Sequence, residues 1–132
     1  MPETRTNLGA SLFLRSRCTL GVRDVAASIA FYQRALGWPT VAAMGEPPTF
    51  AILGEPRGVG LGLVQAAAPA VADFACCYVD VADVEALHRR CLAAGVPIAQ
   101  PLTRHPWGNH DFVLRDPDGH QIAFGQVAGD DA

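Results

Sequence analysis

The chain has 132 residues, half of them hydrophobic and 17% charged, with a formal charge of −3. That length and composition suit one domain with its own core and exclude a disordered chain. The ten basic residues are all arginine and are scattered, which argues against a nucleic-acid partner and removes lysine Schiff-base chemistry.

The opening stretch "MPETRTNLGASLFLRSR" carries an early acid and lacks a long apolar core, so it does not read as a signal peptide. No apolar run is long enough to span a membrane. "CTLGVRD", 18–24, reads as a strand ending at Asp24, a helix N-cap. Val25, Ile29, Tyr32 and Leu36 then recur at helical spacing, and Gly37 takes the C-terminal cap position. "WPTVAAM", 38–44, is a weaker strand; "PTFAILG" and "GVGLGLVQ" are strands separated by the turn sequence "EPRG".

After a linker at 66–73 the pattern starts again. "FACCYVDV", 74–81, is a strand and Asp83 an N-cap. Val84, Leu87, Cys91 and Ala94 share a helical face closed by Gly95. "PIAQPLT" reads as an edge strand because prolines are tolerated there. "DFVLRD" and "HQIAFGQ" are strands joined by "DPDG". Asp24-Val25 lies over Asp83-Val84, Tyr32 over Cys91, and Gly37 within one residue of Gly95. The sequence therefore predicts an α+β fold of two βαβββ modules, about 16–65 and 74–127, in a single domain spanning 1–132. Their strands form a curved, cup-shaped mixed sheet with helices outside.

The four cysteines, Cys18, Cys76, Cys77 and Cys91, lack C-x-x-C spacing and fit reduced thiols in the cytoplasm. The three serines lie outside any G-x-S-x-G context, and no phosphate-binding glycine loop is present. Catalysis by a carboxylate would need Asp111 or Glu46 in the cup, where nothing in the sequence places them.

"RHPWGNHDFVLRDPDGHQIAFGQ", 104–126, holds His105, His110 and His120 among three aspartates and looks at first like a metal site. A four-residue "DPDG" loop would set Arg115 opposite His120 and His110 opposite Gly125. His110 and His120 would then stand roughly 17 Å apart, too far to share an ion. On that pairing His120 faces water, and His110 shares the cup face with Phe112, Leu114 and Ala123. His105 reads as a surface loop residue, and His88 as part of a solvated helix face.

"VRDVAASIAFYQRALGW" and "PWGNHDFVLRDPDGHQIAF" together resemble the glyoxalase/bleomycin resistance/dioxygenase, or vicinal oxygen chelate, superfamily over roughly residues 16–127, and most of all its bleomycin-resistance-type branch. The resemblance implies a homodimer. It also implies, in metal-using members, one His, Glu or Gln ligand on each of four strands. Those positions fall here at Arg17, Gly62, Phe74 and Ala123, none of which is a usual ligand for a divalent cation. The function expected is therefore cofactor-free and metal-free: a small-molecule binder resembling antibiotic-sequestering resistance proteins. The alternative is a superfamily enzyme (a lyase, isomerase, thiol transferase or dioxygenase) with atypical ligands. The residues expected to contact a small aromatic or apolar organic ligand are Arg17, Trp38, Phe50, Phe74, Tyr78, Trp107, His110 and Phe112.

Overall fold

The computed structural model describes residues 12–55 and 58–127. Most of the stretch read for a leader, and part of the "EPRG" turn, lie outside the described residues. The first module is β1 (Cys18–Val22), α1 (Val25–Leu36), β2 (Thr40–Met44), β3 (Phe50–Gly54) and β4 (Gly60–Gln65). The second is β5 (Ala75–Asp80), α2 (Val84–Ala93), β6 (Ile98–Arg104), β7 (Asn109–Arg115) and β8 (Gln121–Val127). Each builds a four-stranded mixed sheet, ordered β1-β4-β3-β2 and β5-β8-β7-β6. The first and last strands of each module pair in parallel and the rest antiparallel.

The helices begin where the aspartates dictate. Asp24 accepts the Ala27 N–H at 3.0 Å, and Asp83 accepts the Ala86 N–H at 3.0 Å. Each satisfies an amide that the first helical turn leaves unpaired. Gly37 ends α1 in the left-handed conformation at φ 75°, donating its N–H to Gln33 O. The buried stripe of α1 is Val25, Ser28, Phe31, Tyr32 and Ala35. It is rotated slightly from the spacing read in the sequence, and Ile29 and Leu36 flank it half-buried.

One apolar cluster serves both modules. Leu20, Val22, Leu61, Leu63, Ala51 and Leu53 line the helix side of the first sheet, and Phe112, Leu114, Ile122 and Phe124 that of the second; Phe31, Tyr32 and Cys91 join them from the helices. The modules are also tied reciprocally. Arg34 of α1 donates to Ala94 O beyond α2, and Arg90 of α2 donates to Ala35 O of α1, both at 3.2 Å. Each arginine thus caps carbonyls that the other helix leaves unpaired. The buried Tyr32 hydroxyl donates to Asp116 Oδ2 at 2.7 Å, carrying α1 onto the β7–β8 turn.

That turn corrects the expected hairpin register. Asp116 accepts the N–H groups of Asp118 and His120 on Oδ1, at 3.0 and 2.8 Å, and its own N–H reaches His120 O. The loop therefore holds five residues, 116–120, and Arg115 pairs with Gln121, not His120. A one-residue slip exchanges the two faces of a strand relative to its partner. Val113 pairs with Ala123 and Asp111 with Gly125, whereas His110 pairs with Gln126 and Phe112 with Phe124. His120 does not face water: it is 5% exposed, and its Nε2 donates to Gly21 O at 2.7 Å. His88 is likewise half-buried, its ring edge-on to Phe112 at 5.0 Å.

Candidate functional site

The face of the sheets turned away from the helices is open. Thr19, Val64, Met44 and Tyr78 lie exposed on it, and the two sheets do not close on themselves. Where β1 meets β5 it holds a cleft of about 470 Å³ whose chemistry comes from Arg17, Cys76, Tyr78 and Asp80, with Val59 and Gly60 on the β1 side. A smaller cleft of about 270 Å³ shares Arg17 and Gly60 and adds Arg15, Ile52 and Glu55. Arg17 stands in both.

A chain of polar contacts runs from Tyr78 toward the β6–β7 turn. Tyr78 donates to Asp111 Oδ2 at 3.0 Å and accepts from Asn109 Nδ2 at 2.9 Å. Asp111 also meets His105 Nε2 at 2.8 Å, through Oδ1. An ionised carboxylate only accepts, so the proton lies on Nε2. The His105 ring stacks on Trp107 with centroids 4.4 Å apart and planes 7° from parallel. Tyr78 lies across Gly125, where a Cβ would collide with its hydroxyl. Partial burial, then the neighbouring Asp111 and Asp80 carboxylates, push the Tyr78 phenol above its usual pKa, so it is a neutral donor near pH 7.

Four expected contact residues belong to this neighbourhood or border it. Arg17 and Tyr78 line the larger cleft, Trp107 caps the polar chain with its indole 72% exposed, and Phe50 is half-buried beside Val64 on the open face of the first sheet. The other four are placed elsewhere. Phe112 is fully buried against Phe124, and Trp38 packs in the same core at 9% exposure, its edge on a separate cleft of about 320 Å³ beside Leu36, Leu87 and Asp80; the register of the last hairpin puts both His110 and Phe112 on the face opposite Ala123. His110 meets Arg104 Nη2 at 3.3 Å instead. Phe74 precedes β5 and projects 64% exposed, outside the clefts described.

His105, Asn109 and Asp111 are the residues sequence reasoning missed. Their signal was present: Asn109, Asp111 and Val113 alternate, and Val113 shares a face with Ala123 once the turn has five residues. His105 is not a free surface histidine, being held by Asp111.

The internal repeat tests the metal question. The capping aspartates Asp24 and Asp83 equate Arg17 with Cys76 and Thr19 with Tyr78. The registers Thr19↔Gly62 and Tyr78↔Ala123 then equate Gly62 with Ala123. The counterpart of Arg17 is therefore Cys76, not Phe74. A thiolate can bind a metal, but its companions here are a guanidinium, a hydrogen and a methyl group. Partial desolvation, then the nearby Cys18, hold the Cys76 thiol above its usual pKa although the residue is exposed, which disfavours the thiolate. Among the described residues no three His, Cys, Asp or Glu side chains are grouped to hold a metal ion. The residues present do not fit the superfamily's metal.

The family model of the glyoxalase/bleomycin resistance protein/dioxygenase superfamily matches residues 15–124. The chain belongs to that superfamily. No curated protein matches it in sequence. Among solved structures, TioX from Micromonospora sp. ML1 is similar, with 22% identity, a TM-score of 0.70, and coverage of 89% of this chain and 99% of that one. TnmS3, an antibiotic binding protein from Streptomyces sp. CB03234, has 21% identity, a TM-score of 0.71, and coverage of 89% and 97%. A lactoylglutathione lyase from Agrobacterium tumefaciens has 23% identity, a TM-score of 0.66, and coverage of 91% and 95%. A superfamily fold that carries both a binding protein and a lyase fixes architecture, and function must be argued from the site.

Proposed function

We propose that this protein is a metal-independent binder of aromatic organic molecules, of the antibiotic-sequestering kind, with its ligand on the open face over Arg17, Tyr78 and Trp107. The observation that carries this reading is the set of four superfamily ligand positions, which hold Arg17, Gly62, Cys76 and Ala123 beside the cleft that Tyr78 lines. Without a metal to polarise a substrate, stacking and a few fixed polar groups are what the site offers, and these suit binding. The likeness to TnmS3, an antibiotic binding protein, supports the same direction.

The functional unit in this reading is a homodimer. The two sheets leave the cup open on one side, and β2 is an edge strand with every residue exposed; a second copy that closes the cup protects that edge. A cytoplasmic setting fits four free thiols, and among the described residues no helix is long and apolar enough to cross a membrane.

Protein purified without chelator should contain well under one equivalent of Zn, Ni, Mn or Fe by mass spectrometry. A thermal-shift screen of planar antibiotics and aromatic metabolites should find a stabilising ligand. At a hundred times its dissociation constant such a ligand adds about 2.7 kcal/mol. A full equivalent of tightly held metal, or a screen in which only divalent metals stabilise the fold, would overturn the proposal.

A further inference from the structure

We infer that Asp111 is a positioning residue: by holding Tyr78 with one carboxylate oxygen and His105 with the other, it fixes two aromatic faces, Tyr78 and Trp107, as one platform for a planar polycyclic ligand. This deepens the binding reading above and rests on it.

The starting point is what an exposed tryptophan in a turn would ordinarily do. Trp107 lies between β6 and β7, 72% exposed, and an indole so placed samples several rotamers. Here it has a parallel partner in the His105 ring. That ring cannot wander, because its Nε2–H is tied to Asp111, whose side chain is only 14% exposed. The turn is closed by backbone bonds on either side, from His105 N–H to Asn109 O at 2.7 Å and from Gly108 N–H to His105 O at 3.0 Å.

Tyr78 is fixed from the same carboxylate. Its hydroxyl gives its proton to Asp111 and receives one from Asn109, so it has no proton left for a ligand. What Tyr78 presents is its ring, 45% exposed on the wall of the larger cleft and seated over Gly125. The network therefore spends its polar groups on orientation and leaves two π surfaces free. Holding rotamers before binding reduces the entropy lost on association. Stacking on both rings favours a flat fused-ring molecule over a globular aliphatic one of equal apolar area.

Asp111→Asn is the direct test, because the amide keeps the shape but presents one acceptor where the carboxylate presents two. Two readouts are taken on the folded full chain. The first needs no ligand: Trp38 is buried, so acrylamide-accessible emission reports Trp107. Release of the stacked imidazole should raise that emission and its quenching constant, in Asp111→Asn and His105→Gln alike. The second is the affinity for daunorubicin, a planar tetracycle, by fluorescence anisotropy; Asp111→Asn should weaken it about tenfold. If Asp111→Asn does not fold, His105→Gln, which breaks the Trp107 arm, is read by emission, and Tyr78→Phe, which breaks the other arm alone, is read by daunorubicin affinity.

Unchanged Trp107 emission in folded Asp111→Asn, or in folded His105→Gln where Asp111→Asn does not fold, overturns the positioning role whether or not daunorubicin binds. Unchanged daunorubicin affinity overturns the shared platform. Failure of the unsubstituted protein to bind daunorubicin or any other planar aromatic in the screen overturns the binding reading instead, and the emission experiment still decides the role of Asp111.

Discussion

Replacing Tyr32 by Phe removes one oxygen from the interior and should cost far more than its size suggests. The hydroxyl lies on a fully buried residue and donates at 2.7 Å to Asp116 Oδ2. Asp116 is itself 4% exposed, and its other oxygen is already committed to the Asp118 and His120 amides. Phenylalanine fills the same space, so no cavity forms; the cost is a buried carboxylate oxygen left without a donor. A hydrogen bond to a charged group contributes about 1.5–3 kcal/mol. For a domain of this length that corresponds to a fall in Tm of roughly 5–10 °C. Burial, with the Asp116 carboxylate adding to it, pushes the Tyr32 phenol far above its usual pKa, so the donor is neutral across the working range. Arg23→Ala is the internal comparison. It breaks an ion pair with Asp118 at 3.1 Å whose guanidinium is 60% exposed, and such pairs contribute about 0–1 kcal/mol. Both are measured by urea unfolding with a common m-value. A Tyr32→Phe protein no less stable than Arg23→Ala would refute the reasoning.

Gly125→Ala should weaken daunorubicin binding and release Trp107 emission, because the new methyl occupies the place of the Tyr78 hydroxyl and crowds Asp111 Cβ at 3.0 Å, disturbing both arms; anisotropy and quenching check both. His120→Ala should lower stability by about 1–3 kcal/mol or more in urea, because it leaves Gly21 O without its donor and opens a cavity where the 5%-exposed imidazole stood. Alkylation by iodoacetamide, mapped by mass spectrometry, should rank the cysteines. Cys77 is pushed up to about 12 and Cys91 to about 11, each chiefly by burial. A raised pKa means less thiolate below it, so both rates should keep rising through pH 10. Exposed Cys76 should react first, and rapid labelling of Cys91 in the folded protein at pH 8 would contradict its burial.

The fold was legible because its punctuation is local. Asp24, Asp83 and Gly37 act within one helical turn, and the strands alternate or are bounded by glycine and proline. The site was less legible because it depends on which face each strand turns to the cup. That choice hangs on a single residue in the β7–β8 turn, where the Asp116 side chain closes a five-residue loop that "DPDG" alone suggested as four. The slip removed His110 and Phe112 from the open face and brought Asp111 onto it. Trp38, just after the helix cap, packs into the core with most of its ring and leaves an edge on a cleft of about 320 Å³ that it shares with Leu87, Val59 and Asp80. Arg17 and Tyr78 lie on the larger cleft and Trp107 stacks on His105, as strand alternation and a loop indole's need for a neighbour suggest; their contact with a ligand is part of the proposed function.

The duplication gives the cup two related ends, and they have diverged. Where the second module sets Tyr78 beside Ala123, the first sets Thr19 beside Gly62, so close that a methyl on the glycine would press on the threonine hydroxyl at 2.9 Å. One end is furnished with a phenol, an imidazole and an indole; its twin carries Thr19 and Gly62 and, where the other has Asp111 and Gly125, the apolar pair Phe50 and Val64. A guest in this cup meets a head and a foot. The expected stoichiometry is one molecule per chain, held in one direction, although the architecture that holds it is nearly a palindrome.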